Sequence, residues 1–136
     1  MNGARSLVER LQDATNRHDL DGLVACFAED YENQTPVHPA RGFRGRAQVR
    51  RNWEEIFAFV PDIRAEVVAS VIDGDTAWTE WDMTGARPDG TPLHMRGVVI
   101  FGVGDGLAEW ARFYLEPVDE SSGTVDDARR QQVVRE

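Results

Sequence analysis

An α+β fold is expected for this chain. Helical apolar spacing is confined to its first 60 residues, alternating patterns follow from Ile63 to Pro117, and glycine turns separate those alternating runs. The architecture these observations suggest is a strongly curved antiparallel sheet packed around three N-terminal helices, as an open cone.

Each element has its own signal. Leu7, Leu11 and Ala14, flanked by Val8 and Thr15, recur at helical spacing over residues 4 to 17. A polar break at Asn16-Arg17-His18-Asp19 follows, and Asp19 suits a helix N-cap. Leu20, Leu23, Val24 and Phe27 then share one helical face, ending at Glu29-Asp30. An extended segment carries Tyr31 and Asn33 on one side, and Pro36, Pro39 and Gly42 mark a loop. Val49, Trp53, Ile56, Phe57 and Val60 predict a third helix, stopped by Pro61.

From Ile63 the period becomes two. Asp73-Gly74 is a tight-turn signal between IRAEVVASVID and TAWTEWDMTG. ARPDGTP leads into LHMRGVVIFGV, and Gly104-Asp105-Gly106 turns the chain into LAEWARFYLEP. Four strands in a meander result, with the Tyr31 segment as a further short strand. Residues 1–118 read as one domain and 119–136 as a polar tail, in which Thr124 and Asp127 fit the cap of a short helix. That helix would lie loosely on the surface or cover a pocket or partner.

Composition excludes several functions. The net charge of −9 disfavours a nucleic-acid partner, which needs a basic surface. No apolar run approaches 20 residues, so no membrane partner is expected. The N-terminal MNGARSLVER lacks an apolar leader core, which points to the cytoplasm. Cys26 is the single cysteine and reads as buried filler. All 15 basic residues are arginine, which excludes lysine Schiff-base chemistry. No phosphate-binding or dinucleotide glycine motif occurs, and no His/Cys set has metal spacing, so neither cofactor nor metal is expected. Arg41, Arg44, Arg46, Arg50 and Arg51 read as a solvated loop and helix face rather than an anion site. His18 and His38 read as exposed.

Strand parity decides which side chains meet. If the Gly104-Asp105-Gly106 turn pairs even positions before it with odd positions after it, His94, Arg96, Val98 and Ile100 share a face with Ala111, Phe113 and Leu115. Trp78, Glu80, Asp82 and Thr84 oppose Ala77, Thr79, Trp81 and Met83 on their own strand. Pattern alone leaves the cavity side open.

The helix pair and the segment HDLDGLVACFAEDYENQTP resemble the superfamily named for nuclear transport factor and ketosteroid isomerase, with its SnoaL-like cyclases and limonene-epoxide hydrolase. The resemblance spans Arg5 to Pro117. In the ketosteroid isomerase frame Leu11, Thr35 and Val98 occupy the acid and base positions, so steroid isomerisation is rejected. In the epoxide hydrolase frame the water-holding Tyr-x-Asn matches Tyr31-x-Asn33. Its Arg-x-Asp falls on Glu80-x-Asp82 and its second aspartate on Phe113, so the epoxide-protonating half is missing.

This frame implies that Glu80, Asp82, His94 and Arg96 point into the cavity. Asp82 and His94 would then transfer protons, Arg96 would hold an oxyanion, and Tyr31 and Asn33 would hold water or a carbonyl. Glu80, Phe27, Trp53, Phe57, Val98 and Phe113 would contact ligand. The alternative is a set of cross-strand ion pairs on a solvated face, with the aromatics as core. Trp81, Trp110 and Tyr114 mark a candidate homodimer surface. The functional expectation is a small-molecule pocket protein, as a cofactor-independent cyclase, hydratase or isomerase on a mostly apolar substrate. The alternatives are a non-catalytic binder of a hydrophobic or acidic ligand, or a dimeric interaction module.

Overall fold

A computed structural model describes residues 3–121 and 123–134. The first helix, α1 (Gly3–Asn16), buries Ala4, Leu7, Val8, Leu11 and Ala14, the stripe its spacing predicts. The short α2 (Leu20–Val24) starts at Asp19, whose Oδ1 accepts the Gly22 amide at 3.0 Å. The chain then runs as β1 (Phe27–Gln34), β2 (Phe43–Arg44) and α3 (Arg46–Phe59). The meander follows as β3 (Arg64–Asp73), β4 (Thr76–Ala86), β5 (Pro92–Gly104) and β6 (Leu107–Pro117). A final helix, α4 (Val125–Val133), carries a reciprocal capping box between Thr124 and Asp127.

The six strands form one curved, open sheet in the order β2-β1-β6-β5-β4-β3. The fold is α+β, with helices packed on the concave side. Two local readings are corrected. The second helix ends at Val24, and Phe27 opens β1 instead of completing the helical face. Backbone pairing wins here: the Ala108 amide donates to the Cys26 carbonyl at 2.8 Å, and Phe27 lies opposite Ala108. This β1–β6 pairing is parallel, where an antiparallel sheet was expected throughout.

The core lies between α1, α2 and the concave sheet face. Leu7 and Ala77 are both fully buried, and Trp81, Val99, Phe101 and Ala111 pack from the strands. Gly97 in β5 has a φ of 153°. A Cβ there would collide with the carbonyl oxygen of Tyr114 on β6, so the two backbones approach only because the side chain is absent.

Replacing that glycine therefore tests the close approach. Gly97→Ala is expected to lower unfolding free energy by about 2–4 kcal/mol, combining positive-φ strain with the backbone collision. A urea midpoint within error of wild type would show that the approach does not need glycine.

Candidate functional site

The concave face encloses a cavity of about 630 Å³, open at one end. Tyr31 and Asn33 come from β1, Phe43 from β2, and Val49, Asn52, Trp53 and Ile56 from α3. Met83 of β4, Leu93 and Met95 of β5, and Phe113 and Leu115 of β6 complete the sheet wall. A narrower hollow of about 90 Å³ shares Phe27, Trp53, Met83, Phe113 and Leu115 with it and reaches Leu11, Trp81 and Phe101. The polar atoms at that depth are satisfied within the protein. Thr15 Oγ1 donates to Leu11 O at 2.8 Å; Trp81 Nε1 donates to Thr79 Oγ1 at 2.7 Å, which donates to Val99 O at 2.6 Å. The deep wall therefore offers shape and apolar surface.

Polar chemistry is concentrated near β1 and the mouth. The Tyr31 hydroxyl donates to Asn33 Oδ1 at 2.7 Å. Burial pushes this phenol far above its ordinary range, so it stays a protonated donor. Phe27 meets the Tyr31 ring edge-on at 4.8 Å and fixes its position. Thr35 Oγ1 donates to His38 O at 2.7 Å, and Gln48 Nε2 donates to Asn52 Oδ1 at 2.8 Å. Arg41 and Glu55 contribute opposite charges to the rim.

The structure brings Glu80, Asp82, His94 and Arg96 together, but on the convex face. His94 Nε2 lies 3.0 Å from Asp82 Oδ1; Arg96 reaches Glu80 at 3.0 Å and Asp82 at 3.4 Å. The inward orientation implied by the resemblance is thus corrected. On β4, Ala77, Thr79, Trp81 and Met83 are buried on the concave side, which leaves the two carboxylates outside. The sheet separates this cluster from Tyr31 and Asn33, so the five residues expected to share a catalytic site do not meet.

The parity of β5 and β6 is corrected with it. Gly104 does pair with Leu107, even with odd, as the turn predicts. A bulge then shifts the register, because Val103 faces Ala108 whereas Gly102 faces Trp110, with Glu109 as the extra residue. Beyond it Val99 faces Phe113 and Gly97 faces Leu115, odd with odd. Phe113 therefore lines the cavity together with Met95, while Val98 points outward between Glu80 and Tyr114.

Among the expected ligand contacts, Phe27, Trp53 and Phe113 line the hollow space, and Glu80 and Val98 do not. Phe57 packs on Trp53 and His18, at 5.4 and 5.2 Å, without lining the cavity. Trp81 is buried inside, so it leaves the proposed dimer surface to Trp110 and Tyr114. Of the two histidines read as exposed, His18 is exposed, with Nε2 3.0 Å from Ile63 O, whereas His38 is half-buried and engages Glu116. Asn52, Arg41 and the methionines of the wall were missed. The two carboxylates on the even face of β4 were the available sign that its odd face is the inner one. Among the described residues, no three His, Cys, Asp or Glu side chains are grouped to hold a metal.

These features define a cone-shaped α+β protein with an apolar cavity and one polar corner. The SnoaL-like domain model matches residues 8–112, and the chain belongs to that family. No curated protein matches it. Among solved structures, a Mycobacterium tuberculosis protein in complex with estradiol-17beta-hemisuccinate is 17% identical, with a TM-score of 0.73 over 93% of this chain and 98% of that one. A limonene-epoxide-hydrolase-like epoxide hydrolase, also from M. tuberculosis, is 18% identical, with a TM-score of 0.71 over 84% and 82%. A ketosteroid isomerase candidate from Kribbella flavida is 22% identical, with a TM-score of 0.70 over 98% and 89%. These likenesses concern the fold. No helix among the described residues is long and apolar enough to cross a membrane.

The buried phenol gives a signed pH test. Its raised pKa favours the neutral native form, so its contribution to stability is complete below the ordinary tyrosine value of about 10. Above that value the unfolded phenol ionises first, and the contribution falls by about 1.4 kcal/mol for each pH unit. Wild type is expected to exceed Tyr31→Phe by about 1 kcal/mol at pH 8, from the hydrogen bond. The order should reverse near pH 11. A constant difference across this range in equilibrium unfolding would contradict the buried, protonated phenol.

Proposed function

We propose that this chain is a small-molecule pocket protein that binds a mostly apolar ligand with an oxygen acceptor at one end. The observation that carries this reading is the cavity: its walls are apolar from β4 to β6, and the polar corner at Tyr31 and Asn33 supplies orientation. Its volume falls in the range that takes ligands of drug size. Because the phenol occupies Asn33 Oδ1, the Asn33 amide nitrogen is left to donate to a ligand carbonyl or hydroxyl. Polarisation by the phenol strengthens that donor.

Binding is favoured over acid–base turnover by the composition of the wall. Glu55, the one carboxylate that lines the cavity among the described residues, stands exposed at its rim, and no imidazole lines it. Asp82 and His94 contact each other across the sheet from this space, which supports a reading without proton transfer by them in the cavity. One structural neighbour holds a steroid ester, and a rigid fused-ring body is the kind of ligand that would suit an apolar cone here as well.

The test is a thermal-shift screen of apolar ketones, phenols and fused-ring alcohols against wild type, Met83→Trp and Arg96→Leu. A ligand at 100 times its Kd should stabilise wild type by about 2.7 kcal/mol, raising Tm by several degrees. Met83→Trp, which fills the cavity, should abolish the shift, and Arg96→Leu should keep it. Equal shifts in wild type and Met83→Trp would place binding elsewhere. Loss of the shift in Arg96→Leu would return the site to the convex face.

Homodimerisation through the convex face is part of the same proposal. Val71, Trp78 and Tyr114 are 66%, 49% and 40% exposed there, an apolar patch beside Arg96 and Arg112. Light scattering at micromolar concentration is expected to give twice the 15.3 kDa chain mass for wild type and the chain mass for Trp78→Glu. A monomeric wild type would remove the dimer from this reading.

A further inference from the structure

Arg41 differs from the arginines around it. Arg44 pairs with Glu32 at 3.1 Å, Arg50 with Asp21 at 3.0 Å, and Arg51 with Gln48. Arg46 donates to Phe27 O at 3.5 Å. Arg41, in the 3-10 turn Pro39–Arg41, reaches the cavity wall, and its guanidinium has no hydrogen-bond or ion-pair partner among the described residues. Of the acids at this end, Glu116 engages His38 and Glu32 engages Arg44.

The two amides on the same wall share a bias. Asn33 Oδ1 is taken by the Tyr31 hydroxyl and Asn52 Oδ1 by Gln48, so each presents its N–H groups as the remaining capacity. Thr35 spends its hydroxyl proton on His38 O and keeps only acceptor capacity, against the several N–H groups of Arg41, Asn33 and Asn52. Donors therefore outnumber acceptors at this end, and Glu55 is the one acidic side chain opposing them.

We propose that the cavity mouth selects ligands with an anionic oxygen head, of the carboxylate, sulfonate or phenolate class, held by Arg41 with the Asn33 and Asn52 amides beside it. The inference rests on the pocket reading above and adds the charge of the ligand to it. An uncharged head would leave the guanidinium unpaired, whereas an anionic one matches its planar fork. The chain as a whole carries −9 and repels anions at long range, so selectivity for an acid must come from a local cation of this kind.

The test compares two fluorophores with the same aromatic body, 8-anilinonaphthalene-1-sulfonate and the uncharged N-phenyl-1-naphthylamine. Each is titrated into wild type, Arg41→Gln, Arg41→Lys and Met83→Trp, with folding checked by circular dichroism melting. Wild type is expected to bind the sulfonate at least about fivefold more tightly than the neutral probe, consistent with a partly solvated charge-assisted contact. Arg41→Gln should erase that preference and leave the neutral probe within about twofold of wild type, while Arg41→Lys should keep part of it. Met83→Trp should weaken both probes. Equal affinities in wild type, or a sulfonate affinity indifferent to Arg41→Gln, would overturn the anion selectivity and leave the pocket standing. Failure of both probes to bind, or indifference of both to Met83→Trp, would overturn the pocket reading and this inference with it.

Discussion

One inserted residue on β6 governs the layout of this protein. The β4 and β5 strands pair odd with odd and even with even along their full contact, so their two faces are defined together. The two-residue turn at Asp105-Gly106 would by itself put Phe113 and Leu115 on the charged side. Glu109, bulged opposite Gly102 and Val103, shifts the remainder of β6 by one position. Phe113 and Leu115 then join Met83, Met95 and Val99 on the concave face, and Arg112, Tyr114 and Glu116 go outward. Without that shift the cavity wall would be interrupted by an arginine and a glutamate.

The consequence is a clean separation of apolar and charged work. A carboxylate, a histidine and a guanidinium facing an apolar cavity would lose hydration that their mutual attraction hardly recovers. On the convex face, Asp82, His94, Arg96 and Glu80 keep water on one side and pair on the other, where each contact contributes little, about 0–1 kcal/mol. Stability then rests on buried apolar groups such as Leu7, Leu23 and Ile63, and the cavity is the space this packing leaves unfilled beneath α3. Gly97 lets the β5 and β6 backbones approach closely beside this space.

Membership of the SnoaL-like family defines the scaffold and leaves the chemistry to the wall residues. Here the wall is quiet at depth and polar at one corner. Tyr31 and Asn33 form a hydrogen-bonded pair on the wall, and Trp53, Phe27 and Phe113 give it aromatic sides. The ion-pair cluster lies across the sheet from the cavity.

Much of this was legible in the amino-acid order. Helix stripes, the Asp19 cap, the Pro61 stop, the Asp73-Gly74 and Gly104 to Gly106 turns and the Thr124 cap box are local signals, and local geometry alone satisfies them. Alternation placed Glu80 with Asp82, His94 with Arg96, and Tyr31 with Asn33 on shared strand faces. Tertiary structure decided the end of α2, where the bond between Ala108 and Cys26 drew Phe27 into a parallel strand, and it decided which sheet face is concave. A bulge carries no strong residue signature, and a slip of one position exchanges every side chain beyond it between the faces. The identities of the site residues were therefore readable strand by strand, but their sharing of one cavity depended on a register that only long-range pairing could set.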